Sequence, residues 1–217
     1  HTNLPIYLNI KDIVSHHTAV LGVTGCGKTS LVLKLLENIR NSDIFTFCLD
    51  ITGEYKDKIV DHIDFFDSNT RDKWNVQLKK IIDSPKNDAI ERISVDKINK
   101  IISDRINVLR SSKKTVILEI PAISNTKFSL DYTQYLIQAV LQYAKDIYAN
   151  NLTIEKTEEK DSFQCCLVIE EAHTIVPENL GIGGDFGASK AVIEKISQIA
   201  LQGRKYNVGF ILISQRT

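Results

Sequence analysis

Gly22-Val23-Thr24-Gly25-Cys26-Gly27-Lys28-Thr29 follows directly on the apolar run Thr18-Ala19-Val20-Leu21 and leads into a helical pattern over 30–40. The octapeptide satisfies G-x-x-x-x-G-K-[ST] and has the context that this pattern requires, a strand before it and a helix after it. Glycines let the backbone curl so that successive N–H groups face inward, and the N-terminus of the following helix adds partial positive charge. The result is a cradle for the phosphates of a nucleotide. Gly22, Thr24, Gly25, Cys26 and Gly27 are expected to line it, with Ser30 in the first turn of the helix behind them. Lys28 supplies a point charge to the β- and γ-phosphates and Thr29 a hydroxyl for Mg²⁺, so the expected ligands are ATP and Mg²⁺. The plain alternative is a glycine-rich turn with an incidental lysine, and the flanking elements weigh against it. Cys26 reads in two ways: a filler of a tolerant loop position, or a thiol made reactive by the helix N-terminus and Lys28.

Working outward, short runs rich in β-branched residues recur at 44–49, 115–120, 165–169 and 208–213. Helical stripes lie between them, such as Leu31, Leu35, Leu36 and Ile39, or Leu136, Ala139, Val140, Tyr143 and Ile147. Continuous apolar strands alternating with amphipathic helices predict an α/β fold. Its expected form is the P-loop NTPase (RecA-like) parallel sheet flanked by helices, within one domain over 1–217. Three stretches read as lying outside that core. Residues 71–112 form a helical insertion with Ile101, Ile102, Ile106 and Leu109 as one stripe, 153–162 a charged solvated loop, and 177–189 a mobile glycine-rich loop.

The run at 165–169 ends in Glu170-Glu171-Ala172-His173. A strand that delivers two carboxylates at its carboxyl end supplies what a phosphate loop needs. Glu170 can hold the hydrated Mg²⁺, and Glu171 can polarise the attacking water. Alternation sends the two side chains in different directions, which suits two tasks. The last run ends in Ser214-Gln215-Arg216-Thr217, and Gln215 falls where open α/β sheets bind ligands, within reach of a γ-phosphate or a water. Before that run comes Gly203-Arg204-Lys205-Tyr206. From the residues alone this basic turn is equally a functional cation or a helix end favoured by the macrodipole.

Composition bounds the rest. The chain has 217 residues, 43% hydrophobic and 25% charged, enough for a full core. Its 27 basic and 27 acidic side chains cancel, so the footprint of a duplex-coating protein is absent. No apolar run approaches the roughly 20 residues of a membrane span, and no charged-then-apolar leader opens the sequence. The four cysteines form no CxxC pair and read as reduced thiols. A soluble cytoplasmic protein without membrane contact is therefore expected. There is no methionine, so the sequence reads either as a piece of a longer chain or as one from which modified methionines are missing.

The order HTAVLGVTGCGKTS, FCLDITGEY, CLVIEEAH, LQGRKYNVGFILISQRT resembles the HerA group of the HerA–FtsK ATPases, hexameric motors that pump double-stranded DNA. The resemblance runs from about residue 13 to 217 and is weakest over 71–112. It implies nucleotide and Mg²⁺ contacts for Lys28 and Thr29, water activation by Glu171 with Glu170 beside it at the metal, and a place near the nucleotide for Asp50 and Glu54. It further implies that Gln215 is the γ-phosphate sensor and Arg204 an arginine finger for the neighbouring subunit. Glu170 departs from the Asp common at its place. His16 stands where relatives often carry Arg, before the histidine matched by His17. The amino-terminal barrel and carboxy-terminal helices of the family are not in this sequence, so it reads as an ATPase core. The implied partners are double-stranded DNA through a homo-hexameric ring and a nuclease or sirtuin-like effector. The competing functions are a type IV secretion or conjugation ATPase, and a nucleotide-gated scaffold ring that organises a partner enzyme.

Overall fold

The computed structural model describes residue 7 and residues 9–84, 89–120, 126–154, 160–174 and 186–215. Its strands are β1 (Thr18–Leu21), β2 (Phe45–Asp50), β3 (His62–Asp64), β4 (Thr115–Glu119), β5 (Cys165–Ile169) and β6 (Val208–Ser214). They form one sheet in the order β1-β6-β5-β2-β4-β3, and every pairing is parallel. All five expected strands are present, and the α/β parallel-sheet expectation holds. The additional strand, β3, has only three residues at the sheet edge, too few to leave a periodic signal.

The helices are α1 (Ile10–Ser15), α2 (Lys28–Arg40), α3 (Glu54–Lys58), α4 (Ser68–Asp83), α5 (Ala89–Leu109), α6 (Thr126–Thr153) and α7 (Phe186–Gln202). Strand alternation sorts the apolar runs into two cores. Phe47, Leu49, Val116, Leu118, Leu167, Ile169 and Phe210 face α4 to α7. Cys48, Ile117, Cys166, Val168, Ile211 and Ile213 face Val14 of α1, Val32, Leu36 and Ile39 of α2, and Tyr55 of α3. Both faces are therefore buried, which is why the strands read as continuous rather than alternating runs.

The stretch expected outside the core is instead part of it. Trp74 and Leu78 of α4 and Ile98, Ile102, Ile106 and Leu109 of α5 are buried in the same cluster as the sheet. The buried stripe is thus 98-102-106-109, and Ile101 packs at its margin. These helices are polar on average because only one side of each is covered. The charged stretch at 153–162 is tied at its far end, where Asn151 bonds the backbone of Asp161 and Arg110 pairs with the Asp161 carboxylate at 2.7 Å. Most of the glycine-rich stretch, 177–185, lies outside the described residues, as do 155–159, Arg216 and Thr217; α7 begins at the end of that stretch.

Two glycines are required by close approach. A Cβ on Gly209 would lie 1.5 Å from the Val14 carbonyl oxygen, so α1 can lie on β6 only because that position is bare. A Cβ on Gly203 would lie 2.2 Å from the Val208 carbonyl oxygen, which fixes the basic turn against the start of β6. Among the described residues no helix is long and apolar enough to cross a membrane.

Candidate active site

Because the strands are parallel, everything that follows a strand lies along one edge of the sheet. That edge carries the loop after β1, Gln215 after β6, Glu170 and Glu171 after β5, and 51–54 after β2. The sheet order places β6 between the strands that bear the phosphate loop and the acid pair, so Gln215 stands between them.

The loop has the conformation that its glycines permit. Gly25 and Gly27 are left-handed, at φ 81° and 93°, and Gly27 caps α2 without a side-chain hydrogen bond. The first N–H groups of a helix have no partner inside it, so α2 presents unpaired donors at the loop. Lys28 folds back over the loop, with Nζ donating to the carbonyl oxygens of Gly22 at 2.6 Å and Val23 at 3.0 Å. The Cys26 thiol is exposed, and its Sγ lies 2.6 Å from where a Cβ on Gly22 would be. The other three cysteines are buried.

Glu170 and Glu171 diverge as the alternation predicts. Glu170 is buried at 5% exposure, and its Oε2 accepts from the Thr52 hydroxyl at 2.7 Å. Burial, joined by the charges of Glu171, Asp50 and Glu54, pushes its pKa up to about 7 against the opposing pull of the Thr52 bond. Glu171 turns out of the strand at φ 46°, a conformation that a non-glycine residue adopts only under constraint. Its Oε1 accepts from Gln215 Nε2 at 2.5 Å, while Gln215 Oε1 accepts from Thr24 Oγ1 at 2.8 Å. His173 Nδ1 lies 3.1 Å from Glu171 Oε2, close enough for an ion pair although the angles do not form a hydrogen bond. The structure thus brings Thr24, Gln215 and Glu171 into one continuous chain.

Asp50 serves the fold of this edge rather than facing outward. It is 1% exposed, and its two oxygens accept from the backbone N–H groups of Gly53 and Lys56, both at 2.9 Å. Those bonds shape the turn from β2 into α3 and thereby present Thr52 to Glu170. The resemblance implies a place near the nucleotide for this residue, and in the structure both of its carboxylate oxygens are engaged by the turn that follows β2. Glu54 is exposed and pairs with Lys58 one helical turn on. Thr52 is the site residue that sequence reasoning missed. A hydroxyl two residues past the end of a strand, beside a buried acid, was the available signal.

Arg204 does not join this site. Its turn precedes β6, at the opposite edge of the sheet, and β6 runs seven residues. At roughly 3.3 Å per residue, about 20 Å separates the two ends, beyond the reach of any side chain. His16 and His17 precede β1 at the same far edge. His16 Nδ1 lies 3.1 Å from the Asp12 carbonyl oxygen, and the His17 ring stacks on Phe210 at 4.3 Å, where burial lowers its pKa.

The residues fit a magnesium nucleotide. The described residues hold no cluster of three or more His, Cys, Asp or Glu side chains arranged for a metal. Magnesium in nucleotide sites is held by one or two side chains with phosphate and water, so Thr29 and Glu170 are a sufficient donor set. The ion would neutralise charge on the phosphates; the protein's part is to bind and orient.

Residues 1–64 match the family model described as the helicase HerA central domain. No curated protein sequence matches the chain. Among solved structures the fold is similar to the pCW3 conjugation coupling protein TcpA, in a monomer form with ATPγS, at TM-score 0.41 and 15% identity. That similarity covers 94% of this chain and 44% of the other, so this sequence spans less than half the length of that neighbour. The phosphate loop lies within residues 1–64, so it is this amino-terminal part of the chain that is similar to the HerA central domain.

Proposed function

We propose that this ATPase is the motor of a homo-hexameric ring that translocates double-stranded DNA and works with an effector protein, a nuclease or a sirtuin-like enzyme. The observation that carries the ring is the separation of Arg204 from its own phosphate loop by the length of β6. The near site supplies Lys28, Thr29, Glu170, Glu171 and Gln215, but among them only one cation for the phosphates. A cation supplied by a neighbour's Arg204 completes the charge complement that phosphoryl transfer requires. In this reading Lys28 leaves the Gly22 and Val23 carbonyls for the β- and γ-phosphates, and Thr29 with Glu170 holds Mg²⁺. Glu171 then takes a proton from the attacking water.

ATP turnover by the full-length protein, measured without DNA, with single-stranded DNA and with duplex DNA, tests the motor. Stimulation by duplex over single strands supports it, and equal turnover under all three conditions favours a scaffold ring instead.

A further inference from the structure

The turn that carries Arg204 is fastened to α6 by a cluster that nothing above uses. Tyr206 ends the turn and Tyr148 meets it from α6, with ring centroids 5.4 Å apart and planes at 90°. Lys205 Nζ lies 5.2 Å from the Tyr148 centroid and 5.4 Å from that of Tyr206. Lys145, one helical turn before Tyr148, places its Nζ 5.6 Å from the Tyr206 centroid. Two ammonium groups and two aromatic rings thus interlock, each cation drawn to the negative face of a ring.

The backbone on both sides of Arg204 is equally constrained. Gly203 has no room for a Cβ beneath the Val208 carbonyl. Asn207, left-handed at φ 56°, returns the chain to β6 with its N–H on the Arg204 carbonyl oxygen at 3.4 Å. Within this turn Lys205 and Tyr206 are both held. Arg204 is exposed, and its side chain makes no hydrogen bond or ion pair among the described residues. The arrangement anchors everything around one guanidinium and leaves that group outward and free.

We propose that Tyr148 is a positioning residue for Arg204. Its ring holds Lys205 and Tyr206 against α6, so that the guanidinium meets the γ-phosphate on the neighbouring protomer with its direction already set. A cation fixed before the transition state costs no ordering when charge develops, whereas a loose one must be ordered at that moment. This inference rests on the trans-acting reading of Arg204.

The test is a double-mutant cycle on the full-length protein, with kcat and KM for ATP measured below the unfolding transition of every variant. Tyr148→Ala should lower kcat about tenfold with KM changed less than about twofold, as expected for a group acting only in the transition state. Tyr148→Phe keeps the ring and should restore the rate, since the attraction belongs to the π face. Lys145→Gln removes one cation of the cluster and should lower kcat in the same direction, which keeps the proposal testable if Tyr148→Ala folds poorly. In an Arg204→Ala background, Tyr148→Ala should cost nothing further. The proposal is overturned if Tyr148→Ala reduces the rate by the same factor with or without Arg204, if Tyr148→Phe is as slow as Tyr148→Ala, or if kcat is unmoved. Wild-type turnover by Arg204→Ala alone would instead bring down the underlying reading, an outcome distinct from all of these.

Discussion

Gln215 donates from Nε2 to Glu171 Oε1 at 2.5 Å, so the residue proposed as the γ-phosphate sensor holds the carboxylate proposed as the general base. Its other amide atom accepts from Thr24 of the phosphate loop at 2.8 Å. One side chain therefore reads the loop and aims the carboxylate. Glu171→Gln keeps the shape and removes the base, and should retain ATP affinity while hydrolysis falls by about 10²–10⁴-fold. Gln215→Ala should also bind ATP and slow its hydrolysis, because the base loses the group that orients it. Nucleotide binding by fluorescence beside phosphate release separates the two effects. Equal loss of binding and turnover in Glu171→Gln would make Glu171 a structural residue.

Gly22 and Cys26 are coupled by contact. No positive φ constrains Gly22, so the obstacle to a side chain there is the Cys26 Sγ, 2.6 Å from the added Cβ. Gly22→Ala should weaken ATP binding by displacing the loop, and Cys26→Ala in the same chain should restore much of it. Titration of both variants with nucleotide checks this; failure of the second change to help would place the obstacle in the backbone. Because Cys26 alone among the four cysteines is exposed, a maleimide should label one thiol in the native protein, and ATP should slow that labelling.

Glu170 makes stability depend on pH. Its folded pKa of about 7 lies above the ordinary value of 4.5, so the folded state favours the protonated form. The stabilisation is complete below pH 4.5 and is lost as pH rises through 7. In metal-free, nucleotide-free protein, Glu170→Gln should match wild type near pH 5 and exceed it at pH 8, by at most roughly 3 kcal/mol. Thermal unfolding across that range measures it, and parallel pH profiles for the two proteins would contradict the burial argument.

Much of this was legible in the sequence because the phosphate loop and the acid pair are contiguous and follow apolar strands. Gly22 to Thr29 and Glu170-Glu171 needed only their neighbours to be placed at one sheet edge. β3 was invisible because three edge residues carry no period, and α4 and α5 looked peripheral because their polar faces outweigh the buried Trp74, Ile98 and Ile102 stripe. The bond from Thr52 to Glu170 spans 118 positions, and the bond from Gln215 to Glu171 spans 44; no local pattern announces such pairs. The spending of Asp50 on the backbone N–H groups of Gly53 and Lys56 was equally beyond a motif, which records residue types and not where their oxygens point.

The most direct test of the account mixes two inactive proteins. Arg204→Ala should bind ATP nearly as wild type does and hydrolyse it about 10³–10⁵-fold more slowly, as for other trans-acting arginines. Glu171→Gln should be slow for a different reason, the loss of the proposed base. A mixed ring places intact Glu171 of an Arg204→Ala subunit beside intact Arg204 of a Glu171→Gln subunit at some of its interfaces. Full-length rings assembled from both, with assembly verified by light scattering, should therefore recover part of the wild-type rate, highest near equal proportions. Rings that form at every mixing ratio yet stay inactive at all of them would contradict action in trans and return the Gly203–Tyr206 turn to an ordinary basic helix end.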